Sequence, residues 1–419
     1  MLAAPQHGRV GFHSSALRPG HPDFLDLPWD LRFEAWPSHC ARTEDLPRGE
    51  SRHPVVFVNY DGVVYALKSL APGRAEDEYA LLRSMQAKKL PVVEAVGHIE
   101  ITNPDGAGSV LVTRYLDHSL PYYSLFTERG LSRYRDHLLD ALAGLLVQLH
   151  LSGVFWGDCS LNNTLFLRDA GTLNAYLVDA ETSEVHESLD ELRRQHELDL
   201  MEENLAGALY DLVAKGDLTA EFPVAETIET VRRKYDDLWR EIQREEELKP
   251  GDRFAMEERI RNLNALGFSV GEVEMANAGQ SIRLRAIVTD RTFHRDLVHS
   301  LTGLVVLERQ AQLMLNEIRQ HRAWLSQHRD RSVTLSGAAH DWMENILRPT
   351  VRRIRDVISE DPLDDAERYC ELLEHKWYLS ERERRDVGHE TAVEDYLRQR
   401  SLGSGDLGAA RAGDLKPAE

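Results

Sequence analysis

Residues 150–181 hold the side chains whose types and spacing could do chemistry. The run reads His150-Leu-Ser-Gly-Val-Phe-Trp-Gly-Asp158-Cys-Ser-Leu-Asn-Asn163-Thr-Leu-Phe, and Leu177-Val-Asp179-Ala-Glu181 comes shortly after it. Asp158 and Asn163 stand five apart, and Asp179 closes an apolar run. A carboxylate that orients a hydroxyl proton, a neutral amide oxygen and a second carboxylate are the groups that hold metal-bound ATP beside an acceptor alcohol. Phosphoryl transfer asks for placement and charge neutralisation more than for covalent work. Asp158 is the candidate base, and Asn163 and Asp179 are the candidate Mg2+ ligands, offering the hard oxygen donors that ion prefers.

Two more charges lie upstream. Lys68 stands in the apolar run Val63-Val-Tyr-Ala-Leu-Lys68-Ser-Leu70, and a cation buried in such a strand needs an acidic partner. Glu78, one turn ahead of apolar helix positions, is the expected partner, with Glu76 as the alternative.

These groups must be positioned by the elements around them. Val55–Tyr60 and Val63–Leu70 read as strands, joined by the two-residue hairpin signal Asp61-Gly62. Ala71-Pro-Gly73 ends the second strand, and Glu76–Met85 reads as a helix with acidic residues in its first turn. Leu90–Ile99 and Gly108–Leu116 read as further strands, separated by the turn Asn103-Pro-Asp-Gly106. Ser132–Ser152 changes to helical spacing, with Leu138, Leu142, Leu145 and Leu149 on one face, and stops at Gly153. Thr164–Leu167 and Ala175–Val178 suggest a hairpin around Asp169-Ala-Gly171, which places the polar residues of the motif at both its ends.

Leu189–Ala214 and Val224–Leu248 read as charged helices, and Lys249-Pro-Gly-Asp252 as a domain boundary. A second hairpin, Gly267–Ala276 with Ile282–Thr289, precedes more helices. Leu297, Leu301, Leu304, Glu308, Ala311, Leu315, Ile318, Arg322 and Leu325 recur in heptad rhythm, which predicts one long helix over 295–326. It reads as part of an intramolecular bundle, with a dimerising contact as the alternative, and the oligomeric state stays open. Residues 1–30 read as a disordered lead and 401–419 as a Gly/Ala-rich disordered tail.

Val64-Tyr-Ala-Leu-Lys68, Glu78, His150–Asn163 and Val178-Asp-Ala-Glu181 together resemble the protein-kinase-like superfamily. The Gly-Asp-x-x-x-x-Asn form, without a usual Gly-rich loop, is most similar to the lipopolysaccharide-core (Kdo/WaaP-type) kinases. The resemblance covers roughly residues 40–250. The chain beyond residue 250 resembles a C-terminal domain of unknown function attached to such kinases in actinobacterial proteins. The resemblance implies that Lys68 pairs with Glu78 and holds the ATP phosphates, that Asp158 is the base, and that Asn163 and Asp179 bind Mg2+. It also makes Leu111–Leu116 the hinge that meets adenine, with Thr113 and Tyr115 as cofactor contacts.

Departures from the superfamily pattern narrow the reading. Trp156 stands where many kinases have His, and Gly157 where an Arg pairs with an activation-loop phosphate, which argues against regulation by such phosphorylation. Ser160 replaces the phosphate-binding Lys of serine/threonine protein kinases, Asp179-Ala-Glu181 replaces Asp-Phe-Gly, and Arg48–His53 has one Gly where the phosphate cover usually has three.

Bulk properties set the remaining limits. A chain of 419 residues exceeds a single ordinary core, and 42% hydrophobic with 29% charged residues fits a folded, soluble protein. Its apolar runs are far shorter than the ~20 residues of a membrane span. Three widely spaced cysteines, Cys40, Cys159 and Cys370, argue against a disulfide framework, and the chain reads as cytoplasmic. A net charge of -20 disfavours nucleic acid as a partner.

These readings give an α+β protein. A bilobal kinase-like domain spans 31–250, with the N-lobe to about residue 116, and a mostly α-helical domain with a small β-hairpin spans 251–400. The expected function is ATP- and Mg2+-dependent phosphoryl transfer to a hydroxyl, of a sugar or small molecule ahead of a protein. The alternative is a nucleotide-binding pseudokinase acting as a regulatory or scaffold module.

Overall fold

The computed structural model describes residues 11–46, 52–127, 135–243, 246–248, 272–276, 281–285, 293–328, 333–357, 364–383 and 387–402. Chain contacts divide it into two compact units. One comprises Met1–Leu167 with Leu173–Thr289, the other Arg168–Thr172 with Asp290–Glu419.

Six antiparallel strands build the sheet of the first unit: β1 (Gly11–Leu17), β2 (Thr43–Glu44), β3 (Val55–Tyr60), β4 (Val63–Leu70), β5 (Glu94–Asn103) and β6 (Gly106–Arg114), in the order β1-β5-β6-β4-β3-β2. Asp61 and Gly62 both take positive φ, 52° and 85°, as a two-residue hairpin turn requires. That turn fixes the register in which Val55 faces Lys68. Alternation along β4 then sends Tyr65 and Leu67 to one core and Leu70 to another. Lys68 shares the side of Leu70, the side covered by the helix Arg74–Ala87 through Ala75, Leu82 and Met85.

The opposite face packs on Phe24, Leu27, Trp29, Phe33 and Trp36. This corrects the expectation of a disordered lead through residue 30. Gly11–Leu17 pairs with β5, and Phe24 and Trp36 are fully buried. Residues 1–10 lie outside the described residues, as do 403–419 of the expected tail.

Helices carry the rest of the site. The helix Arg135–Leu151 buries Leu138, Leu142, Leu145, Leu146 and Leu149 and ends at Gly153, φ 76°. Ahead of it lies the short strand β7 (Leu120–Pro121), and after it come β8 (Val154–Phe155) and the hairpin β9 (Thr164–Asp169) with β10 (Thr172–Leu177). β7 pairs with β9 and so extends the hairpin to three strands. The helices Glu191–Lys215 and Val224–Gln243 complete the core through Leu198, Met201, Leu205, Val231 and Tyr235. A backbone bridge joins the two halves: Val93 N donates to the Leu177 carbonyl at 3.1 Å, and Leu177 N donates to that of Pro91 at 2.9 Å. It holds the end of β10, two residues before Asp179, against the segment entering β5. The second expected hairpin forms between Glu272–Ala276 and Ser281–Arg285, and Glu246–Leu248 adds a third strand to it.

From Phe293 on, the described residues of the second unit are helices and their connections, around Val298, Met314, Ile318, Trp342, Tyr369 and Val393. The expected long helix over 295–326 is in fact two, Phe293–Thr302 and Glu308–His328. Gly303, φ 75°, takes the left-handed conformation that ends the first. Glu308, which broke the apolar seam, turns back to accept the N–H groups of His294 at 3.1 Å and Arg295 at 3.0 Å. The heptad positions Ala311, Leu315, Ile318 and Leu325 are buried within the unit, so that seam is intramolecular core. Among the described residues no helix is long and apolar enough to cross a membrane.

Candidate active site

Lys68 sits among three carboxylates. Its Nζ lies 2.7 Å from Asp179, 3.1 Å from Glu78 and 3.6 Å from Glu181. Glu78 is the partner that the helix Arg74–Ala87 supplies; Glu76, the alternative, is exposed. Glu78 is buried, and its Oε1 also accepts the Ala180 N–H at 3.2 Å, which draws the turn after Asp179 onto that helix. Burial pushes the Glu78 carboxyl up to about 7, against the pull of Lys68 and with the Asp179 charge adding to the rise. Burial would lower the Lys68 ammonium, but Glu78 and Asp179 outweigh it and hold it above its ordinary value.

Asp158 occupies a braced loop. Gly157 takes φ 83°, and a Cβ there would meet the Thr182 carbonyl oxygen at 2.6 Å, so the position admits no side chain. The N–H groups of Trp156 and Gly157 both point into one buried carboxylate, Glu197, at 2.6 and 2.8 Å. Glu197 also bonds His150 Nε2 at 2.7 Å, and His150 Nδ1 meets the Tyr235 hydroxyl at 2.7 Å. Three helices thereby fix the backbone just before Asp158. From the other side, the hydroxyls of Thr182 and Ser183 donate to the Trp156 carbonyl, and the Trp156 indole N–H donates to that of Asp179 at 3.0 Å. Asn163 Nδ2 donates to the Asp158 carbonyl at 3.3 Å, and the Asn163 carbonyl accepts Val178 N at 3.0 Å, tying the candidate base to the strand end that carries Asp179.

Lys68 is thus paired to a helix glutamate and an aspartate, and the Asp-x4-Asn loop is tied to the segment carrying that aspartate through Trp156 and Asn163. Residues 63–244 match the lipopolysaccharide kinase (Kdo/WaaP) family. Over that stretch the chain is similar to the Kdo/WaaP family. Residues 237–400 match a domain of unknown function (DUF4032). A solved structure of WaaP in complex with acyl carrier protein aligns at 16% identity and a TM-score of 0.35, covering 61% of this chain and 99% of that one. No curated protein matches the chain.

Within the Kdo/WaaP segment the donor set fits a hard divalent cation. Ligand oxygens of Glu78, Asp179 and Glu181 lie within 4.8 Å of one another, and all are carboxylates. Sequence spacing does not single out Glu181 as a ligand. Nor does it point to Asn204, which donates from Nδ2 to Asp158 Oδ1 at 3.4 Å and to the Cys159 carbonyl at 3.2 Å. Thr113 is buried in β6, opposite Ala66 and Ala95. Tyr115 comes just after the strand with its ring against Phe57, and its N–H is given to the Val64 carbonyl at 2.9 Å.

Proposed function

We propose that the chain is an ATP- and Mg2+-dependent phosphotransferase acting on a hydroxyl group, of a sugar or other small molecule ahead of a protein. The observation that carries this is Lys68 held jointly by Glu78 and Asp179 while Asp158 is fixed nearby in the chain of contacts through Trp156 and Asn163. In this reading Lys68 holds phosphate oxygens, Asp158 orients the acceptor hydroxyl and takes its proton, and Asn163 and Asp179 hold the metal. Mg2+ held there would neutralise charge on the phosphates.

Support for a small acceptor comes from the segment after Asp179. It reaches the helix Glu191–Lys215 twelve residues after Asp179, and β11 (Glu184–Val185) pairs with β8 on the way. Gly157 leaves no side chain to read a phosphate there. Such a segment is preset and needs no phosphorylation to order it.

The test is transfer of labelled γ-phosphate by the full chain to a panel of sugars, small alcohols and proteins, with Lys68→Ala, Asp158→Ala and Asp179→Ala alongside. Transfer by the native chain, reduced at least ~100-fold in each variant, is expected. Nucleotide binding without transfer to any acceptor would leave the pseudokinase reading in its place.

A further inference from the structure

We propose that Glu181 is a tethered anion set in the path of the nucleotide phosphates, and that it makes nucleotide binding at Lys68 conditional on a divalent cation. This role rests on the function proposed above and adds to it a control on which form of the nucleotide is admitted.

The three carboxylates around Lys68 are not equivalent. Glu78 is buried and pinned by Ala180 N, so it stays where it is. Asp179 is in direct contact with Nζ at 2.7 Å. Glu181 stands farthest out, its side chain 34% exposed, with one oxygen, Oε2, 3.6 Å from Lys68 Nζ and 3.2 Å from His53 Nε2. Its own N–H donates to Asp179 Oδ1 at 3.2 Å, so the two acids are turned toward the same ammonium. His53 lies just ahead of β3. Glu181 thus spans from His53 to the lysine.

A phosphate oxygen reaching Lys68 must therefore take the place of this carboxylate. Without metal it approaches one ammonium that three acids already share, and like charges repel it. A divalent cation held by Asn163 and Asp179, with Glu181 as a further ligand, would reverse that field: the oxygen that blocked the lysine becomes a ligand, and the ammonium is left for phosphate. Glu181 is the group able to make this exchange, being exposed and loosely held.

Calorimetric titration of a non-hydrolysable ATP analogue into the full chain, once with Mg2+ and once with EDTA, tests this. The native chain is expected to bind in Mg2+ and much more weakly in EDTA. Glu181→Gln and Glu181→Ala should each tighten the EDTA affinity by about tenfold, and His53→Ala by less, since it only unfastens Glu181. An EDTA affinity in both Glu181 variants that equals or falls below that of the native chain overturns the role of Glu181 while leaving the proposed function intact. A native chain that binds the analogue in neither buffer overturns the function itself, and this role with it.

Discussion

A lysine ammonium among three carboxylates carries more negative charge than it can balance, and burial decides which acid yields. Asp179 and Glu181 keep contact with water; Glu78 does not, and its carboxyl is pushed up to about 7 from an ordinary value of 4.5. A carboxyl raised on folding contributes stability that is fully present below about 4.5 and is lost as pH rises through about 7. Glu78→Gln keeps the protonated shape at every pH. Thermal unfolding of the native chain should therefore decline relative to Glu78→Gln across that window, by on the order of 3 kcal/mol, and parallel profiles would show that Glu78 does not titrate there. The residues of this cluster are legible in the sequence to different degrees. Lys68, Asp158, Asn163 and Asp179 announce themselves by type and spacing, whereas Glu78 has to be chosen against Glu76. Glu181 and Glu197 escape notice for a physical reason: one depends on which way a side chain turns after a loop, and the other looks like any acid on a charged helix until its partners 40 residues away are known.

At the scale of elements, the loop that carries Asp158 is held by what surrounds it. Gly157 combines φ 83° with a backbone oxygen 2.6 Å from any Cβ, so Gly157→Ala must shift the loop, at ~1–3 kcal/mol of stability. Because Asp158 is the next residue, transfer should fall ~100-fold, as misplacement by about 1 Å does. Glu197→Ala removes the acceptor of two buried N–H groups and of His150, and should cost ~3–5 kcal/mol. Denaturant midpoints with transfer rates check both; a variant with native values would show that the loop carries its own geometry. Local signals of this kind read well from sequence. Asp61-Gly62 specifies its hairpin within four residues, but β1 is hidden because its partner β5 lies some eighty residues on, and an edge strand rich in Ser and His has little apolar alternation of its own. The heptad rhythm misleads in a more specific way. It persists across Gly303 because both helices bury the same kind of face, so periodicity alone hides the break.

For the whole molecule, each compact unit has a core of its own, and this makes their stabilities separately addressable. In the helical unit Glu317 is the central polar group: its carboxylate accepts the Trp342 indole N–H at 2.9 Å and the Tyr369 hydroxyl, and His389 Nδ1 stands 3.6 Å away. Burial would raise its carboxyl, but His389, Tyr369 and Trp342 outweigh that and hold it below the ordinary range. Glu317→Ala leaves those buried donors without an acceptor, a loss of ~2–4 kcal/mol that should lower the melting of that unit by roughly 10 °C. Nucleotide with Mg2+ should act on the other unit, raising its transition by the ~3 kcal/mol that ligand at about a hundred times its Kd contributes. Scanning calorimetry of the native chain and of Glu317→Ala, each with and without nucleotide, is then expected to show two transitions, one moved only by ligand and one only by the substitution. A single transition that both perturbations move would mean that the cores unfold as one, and that the domain of unknown function contributes directly to the stability of the kinase-like site.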